Sequence, residues 1–298
     1  MSQARVNWTV EENWKNYGFT DEMSIEVGGN WGLHRVWRDK GERWHEDCVG
    51  AKKKQGPTVM CWGMIGWQWK GPFYVWSRET EKKQEEAIRE ITRINCEAVI
   101  EETRLNAEWK ASEEWRILRK CELENARIQH QVEKKGGTKK KILQTWRGKM
   151  FKIKKMKRGE GRGVDAWRYV KHVARPLLWP ECRKQLMRDS DFILIEDNAP
   201  AHNAFYTTRE REKKKISKVE WPPNSPDFNP IEHIWTLLKR RILRRRGSER
   251  ITSVGAMKAV LEEEWDRLTI AEINLEILKL PEIMRRCLAV KGSNNYHV

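Results

Sequence analysis

Three short segments near the N-terminus mix aromatic and β-branched residues with glycine. Residues 14–28, WKNYGFTDEMSIEVG, run into a Gly-Gly stop and predict a strand with acids embedded in it. Residues 58–66, TVMCWGMIG, and 71–77, GPFYVWS, predict two more strands separated by a short glycine-bearing turn, so the opening should be antiparallel. From Glu79 to Arg162 the pattern changes. Charge is dense, proline is absent, and Ile88, Ile91, Ile94, Ala98 and Leu105 recur at helical spacing, which predicts one or two long, solvated helices. Within 134–163, KKGGTKKK and MKRGEGRG predict a basic, glycine-punctuated loop, either a solvated charge run or a contact for phosphates.

Helical order resumes after residue 163, where Trp167, Val170, Val173 and Leu177 mark one face ahead of Pro180. Phe192, Ile193, Leu194 and Ile195 form an apolar run without a polar face, the pattern of a central strand covered on both sides. It stops at Glu196 and Asp197. A helical stretch to about Lys215, a short strand at SKVEW, the loop PPNSPDFNP and a helix from Pro230 to about Arg246 follow. Helical segments 253–268 and 270–288 close the chain, and the whole predicts an α/β fold with a mixed sheet.

With 298 residues, 39% of them hydrophobic, the chain can bury a substantial core. No stretch approaches the roughly 20 apolar residues of a membrane span, and the N-terminus lacks the apolar run of a signal peptide, so an intracellular protein is expected. The 59 basic against 43 acidic residues give a net charge of +16, which suits a polyanionic partner but also a basic surface kept for solubility, or a binder without chemistry. Six cysteines without a C-x-x-C pair argue against a zinc finger and against a disulfide framework. His45 and Cys48 have the spacing of half a zinc site, but no second half follows. Of the 17 tryptophans, Trp62, Trp221 and Trp235 sit where packing is expected, although stacking on unpaired bases is open to such residues.

Carboxylates at strand ends and helix starts can be gathered onto one edge of a sheet, and Asp21, Asp197 and Glu232 qualify. Asn229 suits the N-cap, Pro230 the first helical position and Glu232 the third, so Glu232 taken alone reads equally as a capping acid. Glu22 lies beside Asp21, and strand alternation points the two to opposite faces.

IEDNAPAH and WPPNSPDFNPIEHIW occur in one chain with 34 residues between Asp197 and Glu232. This succession resembles the mariner superfamily (Tc-one/mariner) of DDE transposases, most like its fungal members, in which an apolar strand ends in D-N-A-P-x-H and W-P-P-x-S-P-D-x-N-P-I-E-x-x-W follows. The resemblance covers about residues 14–77 and 163–246. It implies a ribonuclease-H-like fold with a mixed central sheet flanked by helices. The catalytic domain would be split into 1–78 and 163–298 around a charged helical insertion at 79–162.

The resemblance further implies DNA strand cleavage and strand transfer by a metal-binding triad, Asp21, Asp197 and Glu232. Asn198 and His202 would orient the second acid or the bound DNA. Oxygen-only ligands favour Mg²⁺ or Mn²⁺, and two such ions about 4 Å apart can activate a nucleophile and stabilise a leaving oxygen. Transposon ends and target DNA are the implied partners, a homodimer the implied assembly and the nucleus the implied location. Lys239, Arg240, Arg241, Arg244, Arg245 and Arg246 continue the helix from Glu232 and could follow a DNA backbone, or simply answer the helix dipole. With only some twenty residues ahead of Asp21, the N-terminal helix-turn-helix region is expected to be missing. The alternative reading is a transposon-derived DNA-binding protein that no longer cuts.

Overall fold

Among the described residues four strands build the sheet: β1 (Tyr17–Glu26), β2 (Thr58–Gly66), β3 (Trp69–Val75) and β4 (Ile193–Ile195), in the order β3-β2-β1-β4. The computed structural model describes residues 5, 7–28, 56–133, 150–159, 163–219, 225–245 and 251–290, excepting the side chains of 126 and 128–133. β2 pairs antiparallel with β1 from Gly18↔Gly66 to Glu26↔Thr58, and with β3 across a tight turn in which Gln68 takes a positive φ of 61°. β4 joins β1 in parallel, Tyr17↔Ile193 to Phe19↔Ile195. The strand expected at SKVEW is reduced to one parallel bridge between Leu194 and Lys218, and residues 220–224 lie outside the described part. An antiparallel meander with one parallel strand added beside β1 agrees with the ribonuclease-H-like arrangement expected from the sequence.

The helices are α1 (Glu81–Ala111), α2 (Glu113–Glu133), α3 (Ala166–Tyr169), α4 (Trp179–Arg188), α5 (Phe205–Lys213), α6 (Pro230–Arg245), α7 (Val254–Asp266), α8 (Ile270–Leu278) and α9 (Leu280–Ala289). A π-helical stretch, Val170–Leu178, joins α3 to α4. It contains Pro176, which has no N–H to give, and the widened turn accommodates that loss. The wider turn also shifts the buried face by one residue. Leu178 rather than Leu177 is fully buried, and the helix runs on through Pro180 instead of ending before it.

Strand alternation divides two cores. Phe19, Met23 and Ile25 of β1 face a cluster made with Ile234, Trp235, Leu238, Leu261 and Trp265 of α6 and α7. Trp62 and Met64 of β2 and Leu194 of β4 face the opposite cluster, with Tyr169, Val173, Leu178 and Trp179. Both faces of the sheet are therefore covered, as the apolar run in β4 requires.

The long helix α1 is capped by the Thr80 hydroxyl, which accepts from the Lys83 N–H. Ala87 and Ile91 bury against Trp167, while Ile88, Val99 and Ile100 stay exposed. Side chains of α1 also hold an extended return segment. Asn95 and Asn106 each exchange two hydrogen bonds with the backbone of Met156 and Phe151, and Glu102 accepts from the Ile153 N–H. Trp62 and Trp235 are buried, as expected, whereas Trp221, His45 and Cys48 lie outside the described residues. No described helix is long and apolar enough to cross a membrane.

Candidate active site

Asp21 sits mid-strand on β1, opposite Gly63 of β2. A Cβ at Gly63 would lie 2.7 Å from Trp265 and 2.8 Å from Trp235, so glycine is what lets the two indoles rest on the strand beside Asp21. Trp235 Nε1 then donates to Asp21 Oδ2 at 3.3 Å.

The start of α6 brings in the next acid. Asn229 does not cap the helix with its side chain; its Nδ2 donates to the Thr20 carbonyl at 3.2 Å, and its backbone carbonyl accepts the Glu232 N–H at 3.0 Å. The residue thus fastens the helix start to β1. Glu232, one turn before Trp235, stands near enough to the Asp21 carboxyl to disfavour its charged form. Burial first, then the charges of Glu232 and Glu22, push the Asp21 pKa up to about 8. Two acids held this closely resist ionising together.

Asp197 follows β4, and carrying the β1–β4 register two residues past Ile195 sets it level with Asp21 on the neighbouring strand. Its Oδ1 accepts the Ala199 N–H at 2.9 Å and lies 2.5 Å from His202 Nδ1. Among the described residues none donates to Oδ2, and the side chain is 49% exposed. Burial raises its pKa, but His202, the Ala199 N–H and Lys218 outweigh that and hold it below the usual range.

His202 is buried against Tyr169, and its Nε2 lies 3.2 Å from Glu22 Oε1. Burial disfavours the imidazolium, yet Glu22 and Asp197 raise its pKa well above the ordinary histidine value. Asn198 is exposed and accepts from Asn203 Nδ2 at 3.3 Å.

Glu196, fully buried, points into the opposite core. It accepts from the Tyr169 hydroxyl, from Arg211 at 3.1 Å, and pairs with Lys218 at 3.7 Å. Lys218 in turn donates to the Asp197 carbonyl at 3.0 Å, which anchors the main chain that carries the acid. Neither Glu196 nor Tyr169 stands out in the sequence as a site residue. For Glu22 the sequence signal is its place next to Asp21, on the other face.

The acids therefore stand in two neighbouring groups, Asp21 with Glu232 and Asp197 with His202 and Glu22. Among the described residues no three metal-binding side chains converge on one point. The donor set nevertheless suits a hard divalent cation: three carboxylates, one with a spare oxygen and two crowded by like charge.

The basic helix divides likewise. Arg241 pairs with Glu272, and Arg245 pairs with Glu263 at 2.7 Å and Glu264 at 3.0 Å, so these two fasten α6 to its neighbours. Lys239, Arg240 and Arg244 have no ion pair among the described residues, and Arg240 and Arg244 are exposed. Arg246 lies outside the described part.

Residues 123–254 match the model of the DDE superfamily endonuclease family. The chain is 33% identical over 105 residues to the Tc1 transposase of Caenorhabditis elegans, covering 35% of this chain and 36% of that protein. It is 30% identical over 130 residues to the Tcb1 transposase of Caenorhabditis briggsae, covering 43% and 44%. The chain thus spans less than half the length of these curated relatives.

Among solved structures, the catalytic domain of Mos1 transposase with raltegravir and Mg superposes with a TM-score of 0.50 at 12% identity, over 98% of this chain and 92% of that one. The Mos1 strand transfer complex gives 0.53 at 14%, over 98% and 59%. At these identities the likeness is one of fold, and it agrees with the ribonuclease-H-like sheet order.

Proposed function

We propose that the chain is a member of the mariner superfamily of DDE transposases and a catalytic domain for metal-dependent DNA strand cleavage and strand transfer. The observation that supports the proposal is that Asp21 in the middle of β1, Glu232 at the start of α6 and Asp197 just past β4 come to neighbouring positions from three distant parts of the sequence.

Asp21, Asp197 and Glu232 would hold two Mg²⁺ or Mn²⁺ ions. Bound there, such ions would supply activation of a water or 3′-hydroxyl and stabilisation of the leaving oxygen of a phosphodiester. The protein's own part is placement. Trp235 fixes Asp21 from one face of the sheet, while Ala199 and His202 fix one oxygen of Asp197 and leave the other without a donor among the described residues. Lys239, Arg240 and Arg244, about two to three turns beyond Glu232 on α6, supply positive charge for the phosphate backbone. The solved Mos1 transposase paired-end complex with left transposon end, a neighbour in fold, suggests transposon ends and target DNA as substrates, with a homodimer as the working assembly and the nucleus as the proposed place of action.

Supercoiled plasmid incubated with the chain and Mn²⁺, beside an Asp197→Ala control, tests the reading. Nicked or linear product from the parent alone supports it. DNA binding by both proteins without cleavage by either would replace the enzyme with a transposon-derived binding protein.

A further inference from the structure

We propose that Glu22 is a positioning residue for the metal centre, acting through His202 to set the rotamer of Asp197. The inference rests on the metal-dependent nuclease reading above, and it concerns a residue that is neither one of the three acids nor directed toward their face of β1.

Asp197 lies just past the last residue of β4, so strand pairing does not hold its side chain. Its main chain is held by the Lys218 ammonium on its carbonyl and by the turn that follows, in which the Thr207 hydroxyl donates to the Ala201 carbonyl at 2.6 Å. The side chain is half-exposed and would sample several rotamers without a partner. The Ala199 N–H gives Oδ1 one partner at 2.9 Å and His202 gives it a second at 2.5 Å, while Oδ2 has no donor among the described residues.

A histidine can orient a ligand only if it is itself oriented. The His202 ring is 3% exposed, lies 4.4 Å from the Tyr169 ring centre, and has its other nitrogen 3.2 Å from Glu22 Oε1. Glu22 belongs to β1, which is paired on both sides, with β2 at Trp62 and with β4 nearby. The chain of interactions thus runs from a strand fixed on both edges, through a buried ring, to an acid on a loop. The same strand carries Asp21 one residue earlier on the opposite face, so one backbone segment sets two of the three acids, one directly and one at second hand. Groups that hold a metal-ligating side chain in this way are worth about 10- to 100-fold in metal affinity.

A purely structural bridge between β1 and the turn after β4 would use the same hydrogen bonds, so the test separates the two. Mn²⁺ binding to the full chain is followed by the loss of the free-ion EPR signal, and plasmid nicking is measured across the same Mn²⁺ range. The proteins compared are the parent, Glu22→Ala, Glu22→Gln and Asp197→Ala. The expected result is a half-saturating Mn²⁺ concentration raised about 10- to 100-fold in Glu22→Ala, with nicking recovered at saturating metal. Glu22→Gln, whose amide can still bond Nε2, should restore most of the affinity.

A Glu22→Ala protein with a lowered melting temperature but the parent's Mn²⁺ curve would show a structural bridge and overturn the proposal, leaving the nuclease reading intact. A parent that neither nicks nor binds more Mn²⁺ than Asp197→Ala would overturn the metal centre itself, and the positioning role with it.

Discussion

Replacing Asp21 by Asn should stabilise the metal-free protein while abolishing cleavage. The Asp21 carboxyl is buried against Trp235 and Glu232, and its pKa rises from 3.8 to about 8. In the unfolded chain the same group ionises at its ordinary value. Between about pH 4 and pH 8 the unfolded state therefore loses a proton that the folded state keeps, and stability falls as pH rises through that window. At pH 8 the ceiling on this cost is about 5 kcal/mol, since each pKa unit is worth about 1.4 kcal/mol. Relaxation of the site and entry of water bring the expected penalty to about 2 kcal/mol.

Asn removes the penalty and keeps the geometry, because its oxygen can accept from Trp235 Nε1 and its amide can donate to Glu232. Thermal melts in EDTA at pH 8 should place Asp21→Asn roughly 4–8 °C above the parent, and the gap should close toward pH 4. Saturating Mn²⁺ should then raise the parent by about 3 kcal/mol at a hundred times its dissociation constant and raise the variant much less, reversing the order. Equal melting temperatures in EDTA at pH 8, or equal gains with Mn²⁺, would refute the account of Asp21 as an acid crowded for the sake of a cation.

Three further outcomes follow from the packing and the charges. Gly63→Val places carbon atoms where the Trp235 and Trp265 rings lie, and should lower stability by about 1–3 kcal/mol in urea denaturation while also weakening nicking. Lys70 donates from one ammonium to the carbonyls of Trp265, Asp266 and Leu268 at the end of α7; Lys70→Met should cost about 1–3 kcal/mol, read by the same denaturation, with nicking retained at low temperature. Neutralising Lys239, Arg240 and Arg244 together should flatten the dependence of DNA affinity on salt by up to about 0.9 for each phosphate left without its cation, whereas Arg241→Gln should mainly lower the melting temperature, since Arg241 is committed to Glu272.

The parts of this molecule written in local pattern are legible in the sequence alone. The alternation of β1 and the unbroken apolar run of β4 follow from which faces are covered, and the acids Asp21, Asp197 and Glu232 stand at the places that a strand, a strand end and a helix start provide. What is not legible depends on partners far away in sequence. Glu22 meets His202 across 180 positions, and Arg241 and Arg245 meet acids on α7 and α8, so a run that reads as one basic stripe divides into cations anchored to acids and cations left for a partner. Asn229 shows the same limit at one residue. Its type and position suit a cap, but the nearby Thr20 carbonyl takes its amide. The π-helical turn at Pro176 is a compromise between a missing donor and a face that must stay buried, and a period of 3.6 cannot express it.

The placement of the acids on both faces of one strand has a physical consequence for the metal-free state. If Asp21, Glu232 and Asp197 all converged without a cation, their repulsion would act in a partly buried site and oppose folding. Here the load is divided. The core beneath α6 holds the Asp21–Glu232 pair, whereas Asp197 is turned toward His202, whose own charge is supported by Glu22 from the other core. The Asp197 main chain stays fixed by Lys218, so bringing its free oxygen toward Asp21 is a matter of side-chain rotation and not of backbone rebuilding. A cation arriving beside the middle of β1 would therefore find two ligands already crowded together, and a third held close by on a hinge of one side chain.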